Sequence, residues 1–179
     1  KILNRHFDHL PQAVRDYCSA LSSKTSPAQI REMVDGFEKL RILVVGDTII
    51  DQYACLNVQG LTSKNRIISG RFLSQETYLG GALAILRHVR QFTPNVRFVS
   101  LLGNEPWVDE LLAGALTKSQ DATIRDDTFT TIVKKRYVEP LLEGNEISKL
   151  FSVNFINEDP PSDEVQERIL QNLRREMKN

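Results

Sequence analysis

The hydrophobic pattern of the chain changes character after residue 40. Residues 41–47 (RILVVGD) and 96–103 (VRFVSLLG) are short runs in which almost every position is apolar and a glycine follows. Such runs are typical of strands that are buried on both faces of a parallel sheet. Between them, apolar residues recur at helical spacing behind Gly80 and Gly81. The pattern therefore predicts a strand–helix–strand unit with a right-handed connection.

Three other segments alternate between apolar and polar residues: 66–72 (RIISGRF), 131–138 (TIVKKRYV) and 149–156 (KLFSVNFI). Alternation of this kind is typical of strands with one covered and one wet face. We therefore predict a second, smaller sheet built from excursions of the chain at about 53–79 and 131–156.

Both ends of the chain have helical patterns. In the N-terminal part, residues 11–21 predict one helix, and Ser26 with Gln29 forms a capping box for the next. We interpret residues 1–40 as a helical connector to the main domain. Residues 163–177 predict an amphipathic helix at the other end.

The composition is that of an ordinary globular protein, with 41% hydrophobic and 26% charged residues. Lys and Arg together number 23, and Asp and Glu together also number 23. The chain therefore has no net charge that would attract it to nucleic acid or to an anionic membrane. Cys18 and Cys55 are far apart and lack a CxxC spacing. Together with the absence of a signal-like N-terminus or a long apolar run, they favour the cytoplasm.

The candidate chemistry lies where the buried strands end. In open α/β sheets, ligands bind beyond the carboxyl ends of the strands, and Asp47 and Asp51 follow the first of them. Gly80 and Gly81 open the next helix, where glycines let the backbone approach a ligand closely. Since a carboxylate such as Asp51 accepts two hydroxyl hydrogen bonds, this arrangement predicts a pocket for a polyhydroxylated molecule.

Plainer interpretations remain open at these positions. The glycine pair is also typical of a tight turn, Asp47 of a turn or cap residue, and Asp51 of a solvated loop carboxylate. The chain contains neither GxGxxG nor GxxxxGK[ST], so it has no recognisable phosphate-binding loop.

Two further groups of residues have possible polar roles. Alternation places Lys134 and Arg136 on one face of a strand, where they meet either an anion or solvent. His6 and His9 have no further ligand at a metal-binding spacing, so we expect no metal site in this chain.

The order of these segments resembles the N-terminal half of the ribokinase-like (PfkB) carbohydrate kinases. The resemblance covers residues 41 to about 175 and is closest to the branch of heptose kinases and ADP-heptose synthases, in which a sugar kinase is joined to a nucleotidyltransferase. It rests on GDTIIDQY, GLTSKNRIISGRFLSQETYLGGA, VRFVSLLG and TIVKKRYVE. It implies an α/β fold with a three-layer, ribokinase-like core around a parallel sheet and a small β-sheet lid, truncated so that residues 41–179 are the N-terminal part of the kinase domain.

The resemblance also implies roles for five residues. Asp51 matches the aspartate that holds sugar hydroxyls in the family, and Gly80 and Gly81 match its glycines on the sugar side. Lys134 and Arg136 match a basic pair of the heptose branch that faces the pocket or its phosphate.

Two departures from the family pattern bear on the substrate. Ala84 stands where the family usually has an asparagine that hydrogen-bonds a sugar hydroxyl, so either the substrate differs or the pocket is degenerate. In residues 63–66 (SKNR), a cation replaces a carboxylate of the heptose branch. The second change suits a more acidic or phosphorylated ligand.

The reaction implied is transfer of the γ-phosphoryl group of ATP to a sugar hydroxyl. ATP and Mg²⁺ are implied for the intact parent only, because the family's catalytic aspartate and ATP-binding loops belong to the other half. We therefore expect no catalytic residue and no cofactor in this chain, and no phosphorylation by it alone. A small-molecule sugar or sugar phosphate and a second copy, paired through the lid, are the expected partners.

Two other functional classes remain open. One is a catalytically silent, kinase-like module that serves dimerisation or docks a partner. The other is a nucleotide-binding α/β domain of unrelated chemistry, which the missing glycine-rich loop disfavours.

Overall fold

A computed structural model describes residues 10–116, 121–140 and 147–178. These residues form five α-helices and a short 3₁₀ helix at Gly36–Lys39. The α-helices are α1 (Gln12–Lys24), α2 (Pro27–Asp35), α3 (Gly81–Val89), α4 (Pro106–Leu112) and α5 (Asp163–Glu176). Within these described ranges, no helix combines the length and the apolar character needed to cross a membrane.

The strands of the described residues form two sheets. They are β1 (Ile42–Val45), β2 (Thr48–Leu61), β3 (Ile68–Gly80), β4 (Val96–Leu102), β5 (Asp121–Arg125), β6 (Ile132–Pro140) and β7 (Ile147–Phe155). One sheet is parallel, in the order β1-β4-β5. The second sheet has the order β3-β2-β6-β7, with β2 and β6 parallel and the outer pairs antiparallel.

The parallel sheet lies between two layers of helix. Phe98 and Leu102 of β4 pack against α3 and α4, whereas Val99 and Leu101, on the opposite face of the same strand, pack against α5. Alternate side chains of one strand therefore fill two separate cores. This arrangement confirms the predicted α/β class, the buried parallel sheet and its three layers.

The second sheet is also confirmed, but its first strand begins earlier than predicted. β2 begins at Thr48 and not near residue 53, so Asp51 lies within a strand and not in a loop. The polar residues of GDTIID suggested a loop, but from Ile49 onward the chain is paired on both sides by neighbouring strands, and only Gly46 and Asp47 lie outside a strand. In the parallel sheet, β5 was not predicted, because its five residues (DATIR) are too polar to stand out.

Two buried threonines fix the points at which β2 and β6 leave the core. The amide of Thr48 donates to Oγ of Ser100, 3.1 Å away, and the two hydroxyl oxygens are 2.9 Å apart. The hydroxyl of Thr131 accepts from the amide of Gly103 at 3.0 Å and donates to Oε2 of Glu105 at 2.8 Å. Each threonine immediately precedes the first residue by which its strand pairs with the other.

Glu105 makes this second anchor sensitive to acid. Burial by itself would raise the pKa of Glu105, but hydrogen bonds from the hydroxyl and amide of Thr131 outweigh it and lower the pKa below its ordinary value. A carboxyl group with a lowered pKa in the folded state contributes stability above its unfolded pKa. That contribution is lost as the pH falls through the folded pKa.

The N-terminal helices lie outside the core. Neither α1 nor α2 has a buried residue, although α2 begins with the predicted capping box of Ser26 and Gln29. The connection to the domain is made by the hydroxyl of Thr93, which donates to the carbonyl oxygens of Glu38 and Leu40 at 3.1 and 2.8 Å.

We predict that Thr131→Val lowers the free energy of unfolding by about 1–3 kcal/mol, because it leaves the amide of Gly103 and a carboxylate oxygen of Glu105 without their partner. Urea denaturation at neutral pH measures the change. Thr130→Val is the matched control, since Thr130 is exposed and its side chain makes no hydrogen bond with the residues that the structure describes. Equal stabilities of the two variants would contradict the anchoring role.

Candidate functional site

The second sheet presents two cross-strand rows of side chains on one of its faces. Residues paired directly across neighbouring strands point to the same side of a sheet. The first row is Tyr78, Asp51, Lys134 and Asn154, and the second is Glu76, Tyr53, Arg136 and Ser152. We call these eight residues the polar face.

An ion pair joins the two rows at the centre of the polar face. Nη1 of Arg136 donates to Oδ1 of Asp51, and the side chains are 29% and 24% exposed. The guanidinium carbon of Arg136 also lies 5.2 Å from the centre of the Tyr53 ring. The hydrogen bond to Asp51 raises the pKa of Arg136 above its ordinary value. Arg136 therefore fixes the orientation of the Asp51 carboxylate.

The second oxygen of Asp51 lies against Gly80. A Cβ atom at Gly80 would overlap with Oδ2 of Asp51, so only glycine leaves room for the carboxylate in this position. No hydrogen bond to Oδ2 comes from the described residues. This oxygen is therefore an acceptor that a bound hydroxyl group can use.

Gly81 is needed for a different reason. Its φ of +58° is in the left-handed region, which side chains disfavour. A Cβ there would also overlap with the carbonyl oxygen of Asp47 and come within 2.9 Å of Cγ1 of Ile49. The glycine pair thus allows β3 to pass directly into α3 beside the start of β2.

The first amide after the pair is already bonded within the protein. The amide of Ala82 donates to the carbonyl oxygen of Asp47 at 2.9 Å. The backbone of Asp47 therefore holds the start of α3 at this position. The two glycines therefore let this part of the backbone lie close to Asp47 and Asp51.

Lys134 is the remaining cation of the polar face. It lies directly across from Asp51 on the neighbouring strand and is half-buried. Within the described part of the chain, its ammonium group has neither a hydrogen-bond nor a salt-bridge partner. Its charge is therefore available to an anionic group placed over the first row.

The five residues singled out from the sequence thus come together in one place. Asp51 contacts Arg136 and Gly80 and is in register with Lys134. Gly81 forms a bridge with Thr48, the first residue of β2, three positions before Asp51. Their roles in binding a ligand stay a prediction.

Three neighbours of these residues were not predicted from the sequence: Tyr53, Glu76 and Tyr78. Tyr78 lies across from Asp51, its hydroxyl donates to Glu76, and this hydrogen bond raises the pKa of Tyr78. Tyr53 lies edge-on to Tyr78. Tyr53 follows Asp51 by two positions, and Tyr78 precedes Gly80 by two. In a strand, residues two apart lie on the same face, so this spacing indicated that the tyrosines lie beside the predicted site residues.

A separate cleft of about 320 Å³ lies at the carboxyl ends of β1 and β4, on the side of α5. Its lining is mainly apolar and includes the backbone turn at Gly46 and Asp47 and the carboxylate of Asp159. None of the five predicted residues lines it. We place the candidate site on the polar face, because that is where hydrogen-bonding groups converge.

Comparison with known proteins gives matches among solved structures. Protein-family models and curated proteins yield no match. Three matching structures are a nucleoside kinase of Methanocaldococcus jannaschii, an archaeal member of the ribokinase family, a carbohydrate kinase of Agrobacterium tumefaciens and a ribokinase of Giardia lamblia. Sequence identities are 18%, 18% and 19%, and TM-scores are 0.42, 0.44 and 0.41, respectively.

The matched regions cover 64%, 64% and 65% of this chain. They cover 36%, 35% and 36% of the three kinases, so the chain spans about a third of their length.

We predict different consequences for alanine at the two glycines. Gly81→Ala lowers the free energy of unfolding by at least about 2 kcal/mol, because it combines a left-handed conformation with a backbone overlap. Gly80 has an ordinary φ of −111°, so Gly80→Ala costs less and acts by displacing the Asp51 carboxylate. Urea denaturation distinguishes the two.

The Asp51→Ala background provides the control. Without the carboxylate, Gly80→Ala becomes nearly neutral, whereas the cost of Gly81→Ala persists. A cost of Gly80→Ala that is the same in both backgrounds would show that Asp51 does not occupy the space beside Gly80.

Proposed function

We propose that residues 41–178 form the sugar-binding portion of an ATP-dependent carbohydrate kinase of the ribokinase-like family. The observation that carries the proposal is the position of the Asp51 carboxylate, held by Arg136 at one oxygen and packed over Gly80 at the other. This is the arrangement expected for gripping a polyhydroxylated molecule. The order of sequence segments that resembles the family supports the same proposal.

The site suits hydroxyl recognition because its central acceptor is both charged and oriented. Hydrogen bonds from neutral donors to a carboxylate are stronger than bonds between neutral groups. Arg136 already satisfies Oδ1, so a sugar hydroxyl donates to Oδ2 without displacing the ion pair. A carboxylate that is fixed in advance loses little conformational freedom on binding.

In the proposed reaction, a sugar oxygen forms a bond to the γ-phosphorus of ATP, the bond from that phosphorus to the bridging oxygen breaks, and ADP leaves. The proton of the sugar hydroxyl passes to a base. This chain's residues bind and orient the sugar, which is a large part of catalysis in phosphoryl transfer.

We assign neither the base nor the ATP and Mg²⁺ sites to this chain. Among the described residues, no group of three or more His, Cys, Asp or Glu side chains is placed to hold a metal ion. The polar face has two acidic residues, Asp51 and Glu76, and each already accepts a hydrogen bond from a neighbouring side chain.

We further propose that the sugar carries an anionic group, as in the heptose branch of the family. Lys134 supports this, because a half-buried ammonium group beside the carboxylate has no partner among the described residues. Ala84 in place of the family's asparagine removes one hydroxyl contact, so the substrate differs from that of the family's common members. Cys18 and Cys55 are free thiols, which suits the reducing cytoplasm that we propose as its compartment.

The exposed apolar residues of β7 support the alternative function, a catalytically silent module for dimerisation. β7 is an edge strand, and three of its residues, Phe151, Val153 and Phe155, are exposed on the face opposite the polar face. Exposed apolar edge strands favour pairing with another strand. We propose that a second copy of the chain covers this face, in the kinase as well as in a silent module.

For the sugar site, we predict that Asp51→Ala weakens sugar binding roughly tenfold or more, because a hydrogen bond to a charged acceptor is lost. Calorimetric titration of the chain with D-ribose, D-fructose, D-glucose and their monophosphates measures the change. Asp16→Ala removes an exposed carboxylate from α1 and serves as the control. Unchanged affinity of Asp51→Ala, or no binding of any of these sugars by the unmodified chain, would overturn the proposal.

For the dimer, we predict that the chain sediments as a dimer at micromolar concentration and that Val153→Lys converts it to a monomer. The added charge lies in the middle of the exposed apolar face of β7. Ser152→Lys places the same charge one residue away on the polar face, and we expect that variant to stay dimeric. A monomeric unmodified chain in sedimentation equilibrium would contradict dimerisation through this sheet.

A further inference from the structure

Two tyrosines flank the carboxylate of the candidate site. The rings of Tyr53 and Tyr78 are 5.8 Å apart between centres and nearly perpendicular, at 81°. Tyr78 lies directly across from Asp51 on the neighbouring strand and is 52% exposed. A large aromatic ring is thus presented to solvent beside the acceptor that we assign to sugar hydroxyls.

The exposed ring is held in place by its neighbours. Its hydroxyl donates to the carboxylate of Glu76, two positions earlier on the same strand face. Its edge-to-face partner, Tyr53, is itself in contact with the guanidinium of Arg136. Glu76, Tyr53 and Arg136 therefore form one connected set of contacts that orients Tyr78.

The contacts that orient Tyr78 serve ligand binding as well as the stability of the sheet. An isolated exposed aromatic residue gains little from burial when half of its surface stays in water. Three polar and aromatic contacts that fix its orientation are of use to a ligand, because they remove the entropic cost of ordering the ring on binding.

The chemistry of a sugar matches both groups. A sugar ring has a rim of hydroxyl groups and a face of C–H groups, and the C–H face stacks on aromatic rings. The Cβ atoms of side chains paired directly across strands are roughly 5 Å apart, so a ligand as small as one sugar ring can contact Asp51 and Tyr78 together. A base joined to the sugar would lie beyond it.

We propose that Tyr78 is a specificity-determining residue that stacks on the C–H face of the same sugar ring whose hydroxyl groups donate to Asp51. Tyr53 and Glu76 act as positioning residues for Tyr78. This inference rests on the proposed sugar-binding function and names the part of the ligand that the site recognises. It favours sugars that present an uninterrupted C–H face over isomers in which an axial hydroxyl interrupts it.

Saturation-transfer difference NMR of the 179-residue chain tests the inference, with D-ribose, D-fructose, D-glucose, their monophosphates and adenosine as probes. We expect the strongest saturation at the ring C–H protons of the sugar that binds. Tyr78→Ala weakens its binding roughly three- to tenfold, as expected for loss of an aromatic stacking contact. Tyr78→Phe keeps the ring and stays within about twofold of the unmodified chain.

Two controls separate a local effect from a fold defect. Tyr17→Ala removes a tyrosine of α1 that is 67% exposed, and we expect unchanged binding. The backbone amide spectrum of each variant reports whether the second sheet is intact. If the alanine variant loses structure, Tyr78→Leu takes its place, because it keeps an apolar side chain on the strand but removes the ring, whereas Tyr78→Phe removes only the hydrogen bond to Glu76.

The outcomes distinguish this inference from the function on which it rests. If Asp51→Ala abolishes sugar binding while Tyr78→Ala leaves it unchanged, the stacking role is wrong and the sugar site stands. Binding of adenosine through its base protons, with no binding of free sugars, would assign the ring to a base and overturn the inference. Absence of binding of every probe to the unmodified chain overturns both.

Discussion

The register between the parallel strands β2 and β6 controls the whole candidate site, and two buried threonines set that register. Thr48 is bonded to Ser100, and Thr131 to Gly103 and Glu105, so both strands leave the three-layer core at fixed positions beside β4. From there, Ile49 pairs with Ile132, and every later pair follows. Since side chains alternate between faces, a slip of one residue would turn Arg136 to the face opposite Asp51.

This origin explains how a surface site is supported by core packing. Asp51 and Arg136 are diagonal neighbours, separated by one strand spacing and two residues along the strand, which a long guanidinium side chain spans. The pair is partly exposed, so by itself it adds little to stability. The pair instead orients the carboxylate. The buried hydrogen bonds of Thr48 and Thr131 hold in place the two strands that carry the pair.

The elements of the fold follow from local sequence patterns, whereas the site follows from long-range pairing. Apolar runs identified β1 and β4, and the capping box of Ser26 and Gln29 identified α2. The polar start of β2 hid a strand, because it is paired with residues about 30 and 80 positions later in the chain, a distance over which periodicity carries no information. Tyr53 and Tyr78 each lie two positions from a residue singled out in the sequence, but only the pairing of β2 with β3 places the two rings together.

The distribution of charge on the polar face constrains what it binds. Asp51 and Glu76 balance Lys134 and Arg136, but the four are not equivalent. Arg136 is already committed to Asp51 and to the ring of Tyr53. An anionic substituent that took Arg136 as its partner would therefore release the Asp51 carboxylate and loosen the support of Tyr53, weakening hydroxyl recognition while it gained a charge contact. Lys134 allows both contacts at once, because it lies beside Asp51 without being bonded to it. A sugar phosphate is thus compatible with this face when its phosphate lies over β6 at the level of the first row and its ring lies toward β3.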